Sequence, residues 1–199
     1  MKIGLFGGTF NPVHSGHVLI AEWIRCEIEI ETVYFIPTAV PPHRPDDKSI
    51  IDIKHRCAMV RLAIEGNPHF KISDHESNPG SVSYAVDTVR AFKENMRLSK
   101  ESIYYLIGAD NLFHLAAWKE QETLSELCKI VVARRPSVAM EEIHDTLSDR
   151  IIVQTPLIDI SASDIRKRVS HNLSIRYMVP PKVESYIHSH KLYGAGNDR

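Results

Sequence analysis

The sequence predicts a doubly wound α/β fold, in which a mainly parallel β-sheet is covered by helices on both faces. Two observations carry this prediction. Short β-branched or aromatic runs bounded by turn residues are typical of strands, and they alternate with amphipathic helical patterns. Such alternation implies right-handed crossovers between parallel strands. A chain of 199 residues can bury one sizeable core, so we expect one domain over residues 1–199.

Six strands and three helices follow from these patterns in chain order. The predicted strands are "KIGLF", "TVYFIP", "FKIS", "SIYYLIG", "KIVVAR" and "RIIVQT". Apolar residues at helical spacing predict helices that include residues 18–28, 53–64 and 86–96. Asp52 is placed to cap the second of these helices, and Gly66 is placed to terminate it.

The C-terminal part of the chain is predicted to be a helical extension of the same domain. Pro180 and Pro181 stand near a helix N-terminus, where proline is well tolerated. The extension covers about 176–193, and the polar stub at 194–199 is predicted to be disordered.

Composition and charge exclude several classes of protein. The formal net charge of −1 lacks the surplus of Lys and Arg that bulk attraction to nucleic acid requires, so we expect no nucleic-acid partner. No apolar stretch reaches membrane-spanning length, so we expect no membrane partner. The chain enters its first strand as "MKIGLF", without the features of a secretory signal, which indicates a cytoplasmic protein. Homo-oligomerisation stays open.

The three cysteines are interpreted as small core residues. Cys26, Cys57 and Cys128 are odd in number and widely separated among apolar residues. We therefore expect neither a disulfide framework nor a zinc knuckle.

Four unusual segments each follow a predicted strand. They are "GGTFNPVHSGH" after the first strand, "PTAVPPHR" after the second, "GAD" after the fourth and "DISASDIRKR" after the sixth. Ligands of doubly wound sheets bind beyond the carboxyl ends of the strands, where the winding reverses. We therefore expect these segments to build the functional site.

The first segment contains more special residues than a tight turn needs. Gly7 and Gly8 allow close backbone approach, and the helix that follows offers free N–H groups and a positive dipole end to an anion. Neither G-x-G-x-x-G nor the P-loop pattern occurs, so phosphates would be held in another way. An ordinary strand-to-helix turn is the alternative interpretation of the glycines.

His14 and His17 are spaced by three residues at the predicted helix start. This spacing places both imidazoles on the same side of the helix, where two donors would face one anion site. Helix capping, burial in the core and half of a zinc site are the alternatives. Because no CxxC or HExxH accompanies the pair, we expect no metal site built by the protein.

Two motifs at opposite ends of the chain resemble those of a known superfamily. "GGTFNPVHSGH" is similar to the signature of the nucleotidylyltransferase superfamily, and "ISASDIRKR" is similar to its second motif, I-S-x-S-x-I-R. "IPTAVPPHR", "SYAVDT", "IGADNLFHLAAW" and "YMVPPKVESYI" resemble segments of the bacterial nicotinate mononucleotide adenylyltransferase family, in order and over most of the chain. Asn11 stands where aspartate is commoner, and Lys119 where an aromatic residue often follows the tryptophan. The resemblance implies a Rossmann-like nucleotidylyltransferase fold.

The resemblance also implies a reaction in NAD biosynthesis. ATP and nicotinate mononucleotide would give deamido-NAD and pyrophosphate by direct in-line attack, without a covalent enzyme intermediate. His14, His17 and Arg166 would be catalytic, because they can neutralise charge on the reacting and departing phosphates. Mg²⁺ would arrive with ATP and would be coordinated mostly by phosphates and water, without an all-protein cage.

The resemblance assigns two further groups of residues to the substrates. ATP would contact Gly7, Gly8, Thr9, Phe10, Gly16, Gly108, Asp110, Ser161, Ser163 and Ile165. The mononucleotide would contact Thr38, His43, Arg44, Tyr84, Thr88 and Trp118, with Trp118 stacked on the pyridine ring. Ordinary structural roles are the alternatives: a capping aspartate, a capped helix, a solvated loop and a core tryptophan.

Two other functions stay open at this point. Another small nucleotidyl transferase, such as the phosphopantetheine enzyme, would share both motifs but lack a pyridine site, and "SYAVDT" with Trp118 opposes it. A nucleotide sensor would keep the fold without chemistry, and the intact His14, His17 and Arg166 oppose it. A panel of acceptor substrates would identify the other transferase, and pyrophosphate release from ATP and nicotinate mononucleotide is the most informative single assay.

Overall fold

The computed structural model describes residues 1–42, 46–78, 82, 84–108, 118–133 and 150–196. Six strands form one sheet: β1 (Ile3–Gly8), β2 (Thr32–Pro37), β3 (Phe70–Ile72), β4 (Ile103–Gly108), β5 (Lys129–Ala133) and β6 (Ile151–Val153). All neighbouring strands pair in parallel, in the order β3-β2-β1-β4-β5-β6. Each predicted strand is present, and the predicted doubly wound α/β fold is confirmed.

Helices cover the sheet. Those in the described part of the chain are α1 (Ser15–Glu27), α2 (Ile53–Ile64), α3 (Ala85–Met96), α4 (Gln121–Leu127), α5 (Ala162–Ser170) and α6 (Pro181–Ser189), with 3₁₀ turns at Lys100–Ser102 and Leu192–Gly194. The first three confirm the helices predicted from apolar spacing. None of the helices in the described residues is long and apolar enough to cross a lipid bilayer.

The sheet is buried on both faces, because helices cover both of them, and successive residues of a strand point to opposite faces. Phe6 of β1 packs with α1, α2, α5 and α6, on what we call the α1 face. Ile3 and Leu5 of the same strand pack with α3 and α4, on the α3 face. Two hydrophobic cores therefore enclose the central strands.

Local signals set the ends of α2. Asp52 Oδ1 accepts a hydrogen bond from the Lys54 backbone N–H at 2.8 Å, as an N-cap does. Gly66 has a φ of +87°, a left-handed conformation that glycine adopts without a steric penalty. Both predicted ends of this helix are confirmed.

The C-terminal extension packs on the α1 face. Its helix α6 begins at Pro181 and buries Val183 and Ile187. Packed structure continues past the residue where the polar tail was predicted to start, since Gly194 closes a 3₁₀ turn and Ala195 is only 3% exposed. Residues 197–199 of the predicted tail lie outside the described residues.

Two of the three cysteines have the predicted place. Cys57 and Cys128 are buried. Cys26 is exposed, so its interpretation as a core residue is wrong. It follows the buried Ile24 by two residues, which places it on the opposite, solvent side of α1.

A buried arginine joins the loops that follow β1 and β2. Arg56, on the inner side of α2, is 1% exposed. Its guanidinium donates to four backbone carbonyls, those of Thr9 (2.7 Å), Thr38 (2.7 Å), Ala39 (3.0 Å) and Ile51 (2.9 Å). One side chain therefore fixes the loops beside the point where the sheet order reverses.

Replacing Arg56 with methionine tests how much this side chain stabilises the fold. The variant removes the donors of four carbonyls, and a buried unsatisfied polar group costs about 1–3 kcal/mol. Removing a buried charge offsets part of this loss, so we expect the free energy of unfolding to fall by about 3 kcal/mol in urea denaturation.

Arg61→Met on the same helix is the matched control. Arg61 is half-exposed and pairs with Asp74 at 2.9 Å. Its loss should lower the free energy of unfolding by less than about 1 kcal/mol. Equal losses in the two variants would contradict the special role of Arg56.

Candidate active site

The candidate site lies at the carboxyl ends of β1 and β4, which are neighbours in the sheet. Gly8 ends β1 and Gly108 ends β4. The winding runs from β1 towards β3 on one side and from β4 towards β6 on the other, so a crevice opens between them. The predicted site residues His43, Arg44 and Asp110 lie outside the described residues.

Two glycines at the end of β1 leave room for other side chains of the protein. A Cβ on Gly7 would lie 2.6 Å from Tyr105 Oη, and a Cβ on Gly8 would lie 3.0 Å from Phe10 Cζ. The first contact would force the buried Tyr105 hydroxyl to move, and the second would force the Phe10 ring to shift by a few tenths of an ångström. Both glycines thus fit the packing of the protein itself, whatever contact their backbone makes with a ligand.

The turn after β1 is strained. Phe10 has a φ of +47°. A left-handed backbone at a residue with a side chain costs about 1–2 kcal/mol. Burial of the Phe10 ring and the bond from Arg56 to the Thr9 carbonyl hold the turn in this conformation.

His14 and His17 lie together at the start of α1. Their rings stack with centroids 3.6 Å apart and planes 29° apart. His14 is the N-cap residue and is buried, whereas His17 is half-buried. A Cβ on Gly16 would lie 3.1 Å from His14 Nδ1, so glycine makes room for this ring. The structure places both imidazoles on the same side of the helix start, as their spacing predicts.

The hydrogen bonding of His17 fixes where its proton is. Nδ1 of His17 accepts a hydrogen bond from the His14 backbone N–H at 3.2 Å. A ring nitrogen that accepts carries no proton, so the proton of a neutral ring is on Nε2. His17 therefore offers a neutral Nε2–H donor, and its ring is further oriented by edge contact with Phe10 at 5.1 Å.

The N-terminus of α1 adds partial positive charge to the site. This helix has 13 residues and no acidic residue in its first turn. Its uncompensated dipole favours an anion beside His14 and His17. In the part of the chain that the structure describes, no group of three His, Cys, Asp or Glu residues is placed to hold a metal ion.

The second motif lies beside the first. Ser161 caps α5, and its Oγ accepts from the Asp164 backbone N–H at 3.0 Å. Arg166 of the same helix donates from Nη1 to the Asn11 carbonyl at 2.8 Å and from Nη2 to Ser163 Oγ at 3.3 Å. The fold therefore brings the two motifs, which are far apart in the sequence, next to each other.

Two residues that the resemblance assigns to ATP have their side chains in the core. Ile165 is 0% exposed and Phe10 is 2% exposed. Ile165 lies on the inner face of α5, and the Phe10 ring packs among the aromatic residues of the α1 face. Neither side chain is accessible to a ligand, and the backbone N–H of Ile165 already donates to the Ser161 carbonyl at 3.1 Å.

A buried carboxyl joins two residues that the resemblance assigns to the mononucleotide. Glu76 is 6% exposed, and it accepts from Thr38 Oγ1 at 2.8 Å and from Thr88 Oγ1 at 2.5 Å. Burial raises the pKa of Glu76 above its ordinary value, and the two hydroxyl donors act in the opposite direction. Since Thr88 is only 1% exposed, its side chain supports the site from inside the protein.

The α3 side of the site is aromatic. Trp118 is half-buried and meets the Tyr105 ring edge-on at a centroid distance of 6.0 Å. Lys119 Nζ lies 4.6 Å from the centroid of the Tyr84 ring and 3.0 Å from Asp87 Oδ2. Trp118 and Tyr84, which the resemblance assigns to one substrate, therefore stand at the same end of the sheet.

Three buried polar residues that support the site were missed in the sequence analysis: Arg56, Glu76 and Tyr105. Arg56 left a signal, because it follows Ile53 by three residues and so falls on the apolar face of its helix. Glu76 lies in the loop segment "SDHESN", where nothing local distinguishes it from a solvated carboxylate. Tyr105 lies in a strand where an aromatic residue is expected for burial alone, so nothing in the sequence pointed to a further role.

The sequence is similar to those of known proteins over nearly its whole length. The cytidylyltransferase-like family matches residues 5–168. A protein of Caldicellulosiruptor bescii named "Probable nicotinate-nucleotide adenylyltransferase" is 41% identical over 194 residues, covering 94% of this chain and 96% of the relative. A protein of Thermomicrobium roseum with the same name is 38% identical over 198 residues, covering 96% and 91%.

Solved structures share the fold. Plasmodium falciparum nicotinic acid mononucleotide adenylyltransferase complexed with APC has a TM-score of 0.82 at 19% identity, and the same protein complexed with NaAD has a TM-score of 0.83 at 20% identity. Each comparison covers 99% of both chains. These structures support the fold, and the sequence relatives identify the group: the chain belongs to the nicotinate-nucleotide adenylyltransferase family of the cytidylyltransferase-like proteins.

Proposed function

We propose that this protein transfers the adenylyl group of ATP to nicotinate mononucleotide, giving deamido-NAD and pyrophosphate. The observation that carries the proposal is the meeting of both motifs at the carboxyl end of the sheet, where Arg166 bonds the loop that leads to the stacked His14 and His17. Relatives at 38–41% identity carry the name of this activity. A structure of the same fold is complexed with NaAD, the product of this reaction.

The proposed reaction needs positioning rather than a protein nucleophile. A phosphate oxygen of the mononucleotide attacks the α-phosphorus of ATP, and the bond from that phosphorus to the oxygen bridging towards the β-phosphorus breaks. The electron pair of this bond leaves with pyrophosphate, so the step is balanced without an enzyme intermediate. Because both reactants are anions, the site has to hold them in line and compensate their charge.

Residues of the α1 face would bind the phosphates. His17 would donate from Nε2, because its Nδ1 is occupied by the His14 backbone N–H. The stacked ring of His14 holds His17 in place, and the N-terminus of α1 adds partial positive charge. Arg166 would supply a permanent charge that can bind two phosphate oxygens at once.

Mg²⁺ enters this proposal as part of the ATP substrate. The described site offers imidazole, guanidinium and backbone N–H donors, which suit phosphate oxygens, whereas Mg²⁺ requires oxygen ligands. The phosphates and water would therefore coordinate the ion. When bound, it withdraws negative charge from the triphosphate, and the side chains bind the oxygens that stay free.

Trp118 would provide a stacking surface for the pyridinium ring. The edge contact with Tyr105 orients its indole, and a cation over an indole face gains about 0.5–2 kcal/mol. Thr38, through its bonds to Glu76 and to the Gly8 carbonyl, joins the buried Glu76–Thr88 pair of α3 to the end of β1. The two substrates would thus bind at the carboxyl ends of the strands, one on the α1 side and the other on the α3 side.

An assay of pyrophosphate release tests the function. With ATP, Mg²⁺ and nicotinate mononucleotide, we expect pyrophosphate and deamido-NAD in equal amounts. Nicotinamide mononucleotide should have a much lower kcat/KM, because its carboxamide presents N–H donors where a carboxylate accepts. Turnover of ATP with phosphopantetheine as the only accepted substrate would favour the other transferase. ATP binding without pyrophosphate release from any acceptor would favour a sensor.

His17→Ala tests the role of the histidine pair. Loss of a donor whose contact strengthens in the transition state should lower kcat by about 10²–10³-fold, with little change in the Kd for ATP. His188→Ala, which changes an exposed histidine of α6, should keep the wild-type kcat. A folded His17→Ala variant with a near-normal kcat would show that the pair only starts the helix.

Trp118→Ala tests the pyridine site. Loss of the stacking surface should raise the KM for nicotinate mononucleotide by about tenfold, with the KM for ATP within about twofold of wild type. Trp23→Ala, which changes an indole that is 43% exposed on α1, is the matched control and should leave both constants unchanged. Equal increases in both constants would instead indicate a purely structural tryptophan.

A further inference from the structure

The loop that carries His14 is held by the C-terminal extension at both of its ends. We call residues 9–14, which connect β1 with α1, the histidine loop. Just after it, Ser15 donates from its backbone N–H to the Met178 carbonyl at 2.9 Å and from Oγ to the Tyr177 carbonyl at 3.0 Å. Near its start, Asn11 Oδ1 accepts from Tyr193 Oη at 3.0 Å.

Asn11 is the residue through which this contact reaches the site. It is 4% exposed, and its Nδ2 donates to the Ser49 carbonyl at 2.9 Å. Its Oδ1 accepts from Tyr193 and, at 3.4 Å, from the Ile51 backbone N–H. Its backbone carbonyl accepts from Arg166 Nη1 at 2.8 Å. Asn11 therefore joins the C-terminal extension, the histidine loop and the Arg166 guanidinium.

Tyr193 is a permanent donor to Asn11. Its backbone has a φ of +55°, a conformation that residues with side chains rarely adopt, and its ring packs against the core of the α1 face. Burial raises the pKa of the Tyr193 hydroxyl, and the Arg166 and Arg56 guanidinium groups act in the opposite direction. The phenol thus keeps its proton around neutral pH.

We propose that Tyr193 is a positioning residue for adenylyl transfer, which fixes Asn11 and, through it, the histidine loop and Arg166. The proposal rests on the proposed function. Without the hydroxyl, Asn11 Oδ1 keeps only the longer bond from Ile51, so the side chain and the loop can shift. A shift of about 1 Å in groups that align two reactants can cost about 10²-fold in rate.

Tyr193→Phe tests the proposal, because it removes the hydroxyl and keeps the ring. We expect kcat to fall by about tenfold, while the KM for nicotinate mononucleotide stays within about twofold, since that substrate would bind on the α3 side. Tyr186→Phe is the matched control. The Tyr186 hydroxyl belongs to the same extension, but its bond is to His55 Nδ1 at 3.0 Å and not to a residue of the histidine loop. This variant should keep the wild-type kcat at a similar melting temperature.

A second measurement reads the loop without activity. In nitrogen-15 spectra of labelled histidine, the His14 and His17 signals, assigned with the His14→Ala and His17→Ala variants, should move in Tyr193→Phe and stay in Tyr186→Phe. Unchanged kcat and unchanged histidine signals in Tyr193→Phe would overturn the proposal, as would equal losses of kcat in the two tyrosine variants. If the wild-type protein releases no pyrophosphate, the proposed function fails, and the histidine spectra alone decide whether Tyr193 positions the loop.

Discussion

The guanidinium of Arg56 is the constraint on which the rest of the site depends. Loops at the end of a parallel sheet bring backbone carbonyls into the interior, and each needs a donor. Arg56 supplies donors from one planar group to the carbonyls of Thr9, Thr38, Ala39 and Ile51. A lysine could not bind all four carbonyls, because its three N–H donors lie on one nitrogen. Burial lowers the pKa of Arg56, yet a guanidinium titrates so far above neutrality that it stays charged.

With the loops fixed, the glycines of the first motif become intelligible. Gly7 admits the hydroxyl of Tyr105, Gly8 admits the ring of Phe10, and Gly16 admits the imidazole of His14. Each glycine thus accommodates a group of the protein that approaches the backbone closely. A glycine-rich segment is easily interpreted as space for a ligand, but here much of that space holds the side chains that shape the turn. The N–H groups of the helix start can serve a ligand only because this packing holds them in place.

The sequence predicts what depends on local patterns. All six strands, the first three helices and both ends of α2 follow from spacing and from residues such as Asp52 and Gly66. Glu76 and Tyr193 could not be predicted, because their partners are brought close by the fold and neither sits in a distinctive pattern. The resemblance names positions rather than atoms, which is why Ile165 was assigned to ATP although its side chain is buried. Asn11 is instructive, because its amide donates to the Ser49 carbonyl and an aspartate could not.

At the carboxyl end of the sheet, the two faces supply side chains of two different chemical types. On the α1 face, the His14 and His17 rings and Arg166 offer donors beside a helix N-terminus, which suits phosphates. On the α3 face, Trp118 packs against Tyr105, which suits an aromatic ring. The segments that follow β1 and β4 diverge here, because they lead to opposite edges of the sheet. In the proposed reaction, the nucleoside triphosphate and the pyridine nucleotide would therefore not compete for one surface, and their phosphates would meet over the ends of these strands, where the winding of the sheet leaves the crevice open.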